Sequence, residues 1–322
     1  MSLSSDHLCV VRVPREKVQE AMGALLAAGP AAAARFTHSA EVARVSLEYI
    51  WCVSDESGRY RQTVLAVPSP GRAVMLIATH PDNDAAVASL APAIRAACKG
   101  VAEVADVAQA LVEPTRPLDA AAFEAGGLQR IATLDYLERP LVRSSLIDAP
   151  LPPSGWTIGP AASELVLAGS DANALGESTR ADIVSVLEQS YQGTRDCPGL
   201  AGMRRTTDVL DGHFGVSARA RHWLIARDEN NSARGVCLLN VTADGAGAEL
   251  VYLGVAPLAR GTGLARVLLA QGMHACANAR CRSVTLALDT LNAPARKLYE
   301  TSGFHRTLSR IALVARLTPS QA

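Results

Sequence analysis

The residues best suited to chemistry in this sequence form a glycine-rich loop, Arg260-Gly261-Thr262-Gly263, between an apolar strand and a helix. Glycines let the backbone turn tightly and approach a ligand without a Cβ in the way. Unpaired N–H groups at the start of a helix lie at the positive end of its dipole and favour anions. Arg260 adds a fixed positive charge that can bind phosphate oxygens in a forked geometry. The loop therefore predicts a phosphate-binding turn.

Four interpretations of this loop are open on its residues alone. A P-loop requires a Lys-Ser or Lys-Thr pair after the glycines, and none follows them. A dinucleotide-binding loop requires Gly-x-Gly-x-x-Gly, but Arg266 occupies the position of the third glycine. Asp289 does lie downstream at a strand end, where such proteins have the acid that binds the ribose. A strand–helix turn without a ligand is the third. The fourth pattern, Arg-x-x-Gly-x-Ala, is met by Arg260, Gly263 and Ala265 and is similar to the pyrophosphate loop of the GNAT N-acetyltransferase superfamily.

A second block, residues 292–304, makes the resemblance more specific. It is similar to the GNAT segment Asn-x-x-Ala-x-x-Leu-Tyr-Glu-x-x-Gly-Phe at every named position, from Asn292 through Tyr299 to Phe304. The block also follows the glycine loop in the order and at the distance that GNAT proteins have. The chain is therefore identified from its sequence as a member of the GNAT superfamily.

This resemblance implies an N-acetyltransferase that moves an acetyl group from acetyl-CoA to a primary amine by direct transfer in a ternary complex. It implies that Glu249 deprotonates the amine and that Tyr299 protonates the leaving thiolate. The non-catalytic alternative for Glu249 is a solvent-exposed glutamate on a strand. The non-catalytic alternative for Tyr299 is a core tyrosine whose hydroxyl is hydrogen-bonded within the protein. A strand bulge is expected at Gly254, and the Val255 N–H is expected to polarise the thioester carbonyl. The implied cofactor-binding residues are Leu253, Gly254, Val255, Arg260, Gly261, Thr262, Gly263, Leu264, Ala265 and Asn292.

Two other functions compete with this interpretation. A nicotinamide-dependent oxidoreductase would use the same glycine loop. A non-catalytic acyl-CoA-binding or interaction module would need neither Glu249 nor Tyr299, and the presence of both disfavours it. The acceptor is expected to be a small-molecule or peptide amine bound near residues 192–213. Weaker candidates in and around that loop are Tyr191, Asp196, Cys197 and His213.

Composition argues against several partners. The 322 residues include 31 Lys and Arg and 31 Asp and Glu, so the formal net charge is zero and no broad surface for nucleic acid or membrane is expected. No apolar stretch reaches the roughly 18 residues of a membrane span. No leader is visible, so a cytoplasmic location is expected. The seven cysteines lack a Cys-x-x-Cys pair, which predicts reduced thiols and no metal. The oligomeric state stays open.

The chain is predicted to contain two copies of one α/β (α+β) unit. At a fixed offset of 176 residues, Pro81 falls on Pro257 and Phe123 falls on Tyr299. A proline-rich linker near residue 150 predicts a degenerate N-terminal GNAT-like domain at 1–149 and a catalytic C-terminal GNAT domain at 150–322. The resemblance implies that each has a central, mixed, mostly antiparallel sheet flanked by helices. This layout is similar to the tandem architecture of mycothiol synthases, a likeness that transfers no substrate.

The two copies differ at the residues that carry the chemistry. Opposite Arg260 the first copy has Asp84, whose charge would repel phosphate, and both loop glycines are absent. Opposite Tyr299 stands Phe123, which has no hydroxyl. We therefore expect catalysis in the second copy only. Binding of a different ligand by the first copy stays open.

Overall fold

A computed structural model of the chain describes residues 8–43, 45–141, 150–162, 175–214 and 220–317, without the side chain of Arg221. In these ranges the chain forms twelve β-strands and eight α-helices. It divides into two compact units, one formed by residues 1–132 with 310–322 and the other by residues 133–309.

The first unit is a mostly antiparallel sheet. Its strands are Cys9–Arg12 (β1), Ile50–Ser54 (β2), Tyr60–Ser69 (β3), Ala73–Ala78 (β4) and Val107–Val112 (β5). Its helices are Val18–Leu25 (α1), Pro30–Val42 (α2), Asp84–Gly100 (α3) and Pro117–Ala125 (α4). Strands β1 to β4 pair antiparallel in chain order, and β4 and β5 pair in parallel. Residues 311–316 pair antiparallel with β5 and complete the sheet.

The second unit repeats this plan. Its first strand belongs to Gln129–Pro140 (β6), and the next are Thr157–Pro160 (β7), Leu224–Arg227 (β8), Ala233–Val241 (β9), Gly247–Val255 (β10) and Ser283–Asp289 (β11). The last strand of the chain is His305–Arg316 (β12), and the helices are Glu177–Tyr191 (α5), Thr206–Phe214 (α6), Leu264–Asn278 (α7) and Ala293–Thr301 (α8). The pairing order is β6-β11-β10-β9-β8-β7, with only β10 and β11 parallel among these pairs. The predicted mixed, mostly antiparallel sheets are confirmed.

Both sheets bury apolar side chains on two faces, because successive residues of a strand point to opposite sides. In the first unit, α1 and α2 pack on a cluster that contains Ile50 and Leu65, while α3 and α4 pack on one that contains Val64 and Val74. In the second unit, α7 and α8 cover one face of the sheet and α5 and α6 cover the other. Each unit therefore has its own core, and the site lies on elements that are packed from both sides.

The predicted repeat is confirmed by the bounds of the elements. Helix α4 begins at Pro117 and ends at Ala125, and α8 begins at Ala293 and ends at Thr301, 176 residues later at both ends. Strands β6 and β12 begin at Gln129 and His305 and are both twelve residues long. The same local sequence pattern has therefore produced the same elements in both copies.

The division into units differs from the boundary placed between residues 149 and 150. Residues 134–140 pair with β11 and lie in the second unit, whereas residues 311–316 pair with β5 and lie in the first. The unit to which a strand belongs is decided by its pairing with distant segments, which a proline-rich linker in the sequence does not reveal. No helix among the described residues has the length and apolar character needed to cross a membrane.

Candidate active site

A β-bulge on β10 determines which side chains face the site. The register with β9 shifts between Leu250 and Tyr252, so Val251 is the extra residue. Leu250 packs with the cluster under α7 and α8, whereas Val251 and Tyr252 both pack with the cluster under α5 and α6. The bulge thus brings Tyr252 onto the face that also carries Glu249, two residues before the bulged position.

The bulge was predicted at Gly254, and this was wrong. Gly254 is paired regularly with Val236, and it is buried. A Cβ there would lie 2.5 Å from Cε1 of Tyr252 and 3.0 Å from Oγ of Ser190. Gly254 is therefore needed because the Tyr252 ring packs across its backbone, and not because the strand kinks at this residue.

The edge of β10 opens towards β11 beyond the first three paired residues. Parallel pairing joins Gly247–Glu249 to Ser283–Thr285 and then ends, although β10 continues to Val255 and β11 to Asp289. The predicted cofactor residues Leu253, Gly254 and Val255 lie on this unpaired stretch. Backbone N–H and C=O groups without a ladder partner need another one. An extended ligand that carries amide groups can supply it.

The glycine loop adopts a tight turn, and its backbone forms a cradle at the N-terminus of α7. Gly261 and Gly263 have φ angles of 78° and 83°, in the left-handed region that favours glycine. In the part of the chain that the structure describes, no acceptor bonds the N–H groups of Gly261, Thr262, Gly263 or Ala265. Leu264 is fully buried beneath them, and the Thr262 hydroxyl donates to the Ala259 carbonyl at 2.8 Å. Four free amides thus face outward from a fixed turn at the N-terminus of α7.

Arg260 does not stand free beside this cradle. Its Nη2 donates to the carbonyls of Ser190 and Gln192, at 3.0 and 2.7 Å, at the C-terminal end of α5. A cation at that end of a helix offsets the negative end of the dipole. The guanidinium thus ties the loop to α5 through Nη2, and the contact between Arg260 and phosphate oxygens stays a prediction. The four backbone amides of the loop are open to a ligand.

Glu249 is exposed on the α5–α6 face, and no described cation or donor pairs with it. Across the sheet it lies opposite Asn240. The surrounding protein partly desolvates the carboxylate and raises its pKa above the usual value. A carboxylate that is reachable by solvent, unpaired and more basic than usual can accept a proton.

Tyr299 is 8% exposed and packs edge-on against Phe304, with the ring centroids 5.7 Å apart. Burial raises the pKa of its hydroxyl, so the phenol stays protonated. Within the described ranges the hydroxyl makes no hydrogen bond to a protein atom. The residue packs in the same apolar cluster as Leu253 and Val255 of the open strand edge.

A short acidic network covers the end of β11. The Asp196 carboxylate accepts from the Asp289 N–H at 3.1 Å, and the Cys197 N–H donates to the Asp289 carboxylate at 3.1 Å. Asn292 bonds Asp196 and also accepts from the Ala295 N–H at 3.3 Å, so it caps α8. Burial raises the pKa of Asp196. Asp289 is buried and holds this loop in place, which differs from the ribose-binding role that it imitates in the sequence.

A model of the acetyltransferase (GNAT) family matches residues 188–304, which include the cradle, the open edge, Glu249 and Tyr299. This stretch is a GNAT acetyltransferase domain. A comparison with curated proteins found no significant match.

Solved GNAT structures share the fold over nearly the whole chain. A GCN5-related N-acetyltransferase from Sphaerobacter thermophilus is 15% identical with a TM-score of 0.59, covering 97% of this chain and 96% of that one. A tandem GNAT protein from the clavulanic acid biosynthesis pathway is 18% identical with a TM-score of 0.53, covering 98% of this chain and 100% of that one. At these identities the likeness concerns the fold, which is that of a tandem GNAT protein.

The GNAT domain also contains polar groups that the sequence pattern did not bring together. The Tyr252 hydroxyl and the Ser190 hydroxyl lie 2.6 Å apart, and His213 packs on Tyr252 with the ring centroids 5.4 Å apart. Asn240 donates to the His213 carbonyl at 2.6 Å. The bulge at Val251 produces this grouping, and no local signal marks a bulge in an apolar strand. Gly254, across which the Tyr252 ring packs, is the one sequence feature related to the bulge.

His213 makes the GNAT domain sensitive to acid. Burial and the nearby Arg204 charge lower the pKa of its imidazole from 6.5 to about 4. The unfolded chain therefore binds more protons than the folded one between these values, so stability falls as the pH falls through this window. Because of His213, we expect the free energy of unfolding to be about 2 kcal/mol lower at pH 5 than at pH 7. Urea unfolding of wild type and H213F at both pH values measures this loss, and equal losses in the two proteins would contradict it.

Cys197 is expected to be an unreactive thiol. Burial and the carboxylates of Asp196 and Asp289 raise its pKa to about 12, so almost no thiolate exists near neutral pH. Iodoacetamide at pH 7.5 should therefore modify exposed Cys9 well before Cys197, as peptide mass spectrometry would show. Labelling of Cys197 as fast as Cys9 in the folded protein would contradict this expectation.

Proposed function

We propose that the second unit is an acetyl-CoA-dependent N-acetyltransferase, which moves an acetyl group directly to a primary amine of a small molecule or peptide. The observation that carries this proposal is the set of four free amides at the start of α7 beside an open strand edge. Amides at a helix N-terminus bind pyrophosphate, and the open edge suits the amides of a pantetheine arm. The donor supplies an activated acetyl thioester.

The side chains of the domain fit the proton transfers of such a reaction. Glu249 takes the proton that the amine must lose before it attacks the acetyl carbon. The new bond joins the acceptor nitrogen to that carbon, and the bond that breaks joins the carbon to sulfur. Tyr299 gives its hydroxyl proton to the departing thiolate, and the Val255 N–H polarises the carbonyl. Asn292 and the amides of Leu264 and Ala265 contribute to the cofactor site.

The first unit is proposed to be the scaffold copy. Its Asn83 side chain accepts from the Ala86 N–H at 2.8 Å, so the start of α3 is capped by the protein itself. Asp84 follows in the first turn and would repel an anion. A cleft of about 220 Å³ does lie at the ends of β4 and β5. Its Asp119 is paired with His80 at 2.7 Å and Arg116 at 3.2 Å, and Phe123 lines it without a hydroxyl.

Calorimetry and a transfer assay test this function together. Acetyl-CoA should bind with one site per chain, and NADPH should not bind. Release of CoA with formation of an acetylated product should follow when a panel of primary amines is added. Binding of NADPH without acetyl-CoA would support an oxidoreductase. Tight binding of acetyl-CoA with no transfer to any amine would support a non-catalytic acyl-CoA-binding module. A cytoplasmic location stays a prediction.

A further inference from the structure

A buried histidine nitrogen on the candidate active-site face has no hydrogen-bond partner among the described residues. His213 lies near the end of α6, and its Nε2 is shielded from solvent without a hydrogen bond. Among the described residues, the only other buried side-chain N or O atom in this state is Nδ1 of His274 on α7. Buried polar atoms are nearly always bonded, so an exception points to a partner from outside the chain.

The position of His213 places this nitrogen beside the proposed base. Its ring packs on Tyr252, which the bulge at Val251 brings to the face of Glu249. Asn240, directly across the sheet from Glu249, donates to the His213 carbonyl at 2.6 Å. A molecule whose amine reaches Glu249 therefore lies on the face of the sheet on which His213 packs.

The neighbouring polar groups are already bonded to each other. The Tyr252 hydroxyl is bonded to Ser190 at 2.6 Å. The Asn240 amide is used at both ends, because its oxygen also accepts from the Trp223 indole N–H at 2.9 Å. Among the described side chains of this group, His213 is the one with a buried polar atom that makes no hydrogen bond.

The charge state of His213 narrows the chemistry of the partner. Burial lowers the pKa of the imidazole to about 4, so the ring is neutral near pH 7. One ring nitrogen then carries a proton and the other a lone pair. An ammonium can only donate to Nε2 and a carboxylate can only accept from it, so each fits one tautomer. A hydroxyl can do either, and it satisfies Nε2 in both.

We propose that His213 Nε2 hydrogen-bonds a hydroxyl group of the acceptor, so that the substrate class is hydroxyl-bearing primary amines. This inference rests on the proposed acetyl transfer to an amine. It makes His213 a specificity-determining residue that contacts the substrate, while Glu249 and Tyr299 carry the proton transfers. Amines of similar shape without the hydroxyl leave the nitrogen unpaired and lose that contact.

Matched pairs of amines test the proposal, with 4-aminocyclohexanol against cyclohexylamine and tyramine against phenethylamine. In wild type, kcat/KM should be about 10-fold or more higher for the hydroxylated member of at least one pair, the loss expected for one buried hydrogen bond. In H213F the ratio should fall to about 1, mainly through a higher KM for the hydroxylated amine. H274F, which removes the other unpaired histidine, should keep the wild-type ratio. A ratio of 1 in wild type, or the wild-type ratio in H213F, would overturn the proposal.

Two controls separate this inference from failure of folding or of the proposed function. H213Q keeps a polar group at the position and should keep part of the preference if H213F unfolds. If no amine is acetylated, the nitrogen resonances of His213 can be followed by NMR in the presence of CoA. A shift with 4-aminocyclohexanol that is absent with cyclohexylamine would support the contact even then. No shift with any hydroxylated amine would refute it.

Discussion

Replacing Tyr299 by phenylalanine is expected to lower kcat by roughly 10²- to 10⁴-fold, the range typical for loss of a positioned acid. The hydroxyl has no hydrogen-bond partner in the described protein, so its removal breaks no contact that holds the fold. The ring still packs on Phe304, and the free energy of unfolding should change by less than about 1 kcal/mol. The first copy already carries this change at Phe123.

The measurement is kcat beside the dissociation constant of acetyl-CoA in wild type and variant. The dissociation constant should change little, because the proposed phosphate and pantetheine contacts lie on the backbone of residues 253–265. Viscosity dependence of kcat shows whether product release limits turnover. An unchanged kcat, with release shown not to be limiting, would remove Tyr299 from the chemistry and leave water as the proton source.

A negative charge in the cradle should abolish tight binding of acetyl-CoA. G263D places a carboxylate among the four free amides, where the pyrophosphate is proposed to bind. Two like charges about 4 Å apart repel by roughly 4 kcal/mol at an effective dielectric constant of 20. We therefore expect the dissociation constant to rise by at least about 100-fold. Calorimetry with acetyl-CoA measures this change.

G263N is the matched control for that charge. Gly263 has a φ of 83°, which asparagine and aspartate tolerate better than other residues, and a Cβ there meets nothing within 4 Å. The two variants therefore share the same backbone strain and nearly the same size. A loss of only a few-fold in G263N and of 100-fold in G263D isolates the charge. Equal losses would place the anion elsewhere.

The parts of the site that depend on local sequence were predictable. Gly261 and Gly263 do adopt the left-handed conformation, and Asn292 does cap the next helix, because a few adjacent residues decide both features. The repeat was also visible, since an unbroken offset of 176 residues carries every late element of one copy onto the other. Short-range backbone preferences and side-chain caps leave a direct mark in the sequence.

The parts that depend on distant pairing were not predictable. The bulge lies at Val251 and not at Gly254, because the register with β9 is set across the sheet. Arg260 bonds the end of α5, some 70 residues earlier in the chain, which no spacing of the loop motif reveals. The hydrogen-bond network of Asp196 and Asp289 likewise joins residues 93 positions apart. Each of these contacts depends on where the fold brings two segments together.

The route of the two long strands has a consequence for the history of the gene. Residues 134–140 follow the last helix of the first repeat, yet they pair with β11, and residues 311–316 follow the last helix of the second repeat, yet they pair with β5. After a duplication of this kind, substitutions can erase the chemistry of one copy, but a deletion of that copy also removes a strand from its sibling. An ancestral single-copy form would have to supply that strand from its own chain or from a second molecule. We therefore expect two copies whose strands are exchanged in this way to be retained together, whether or not both remain active.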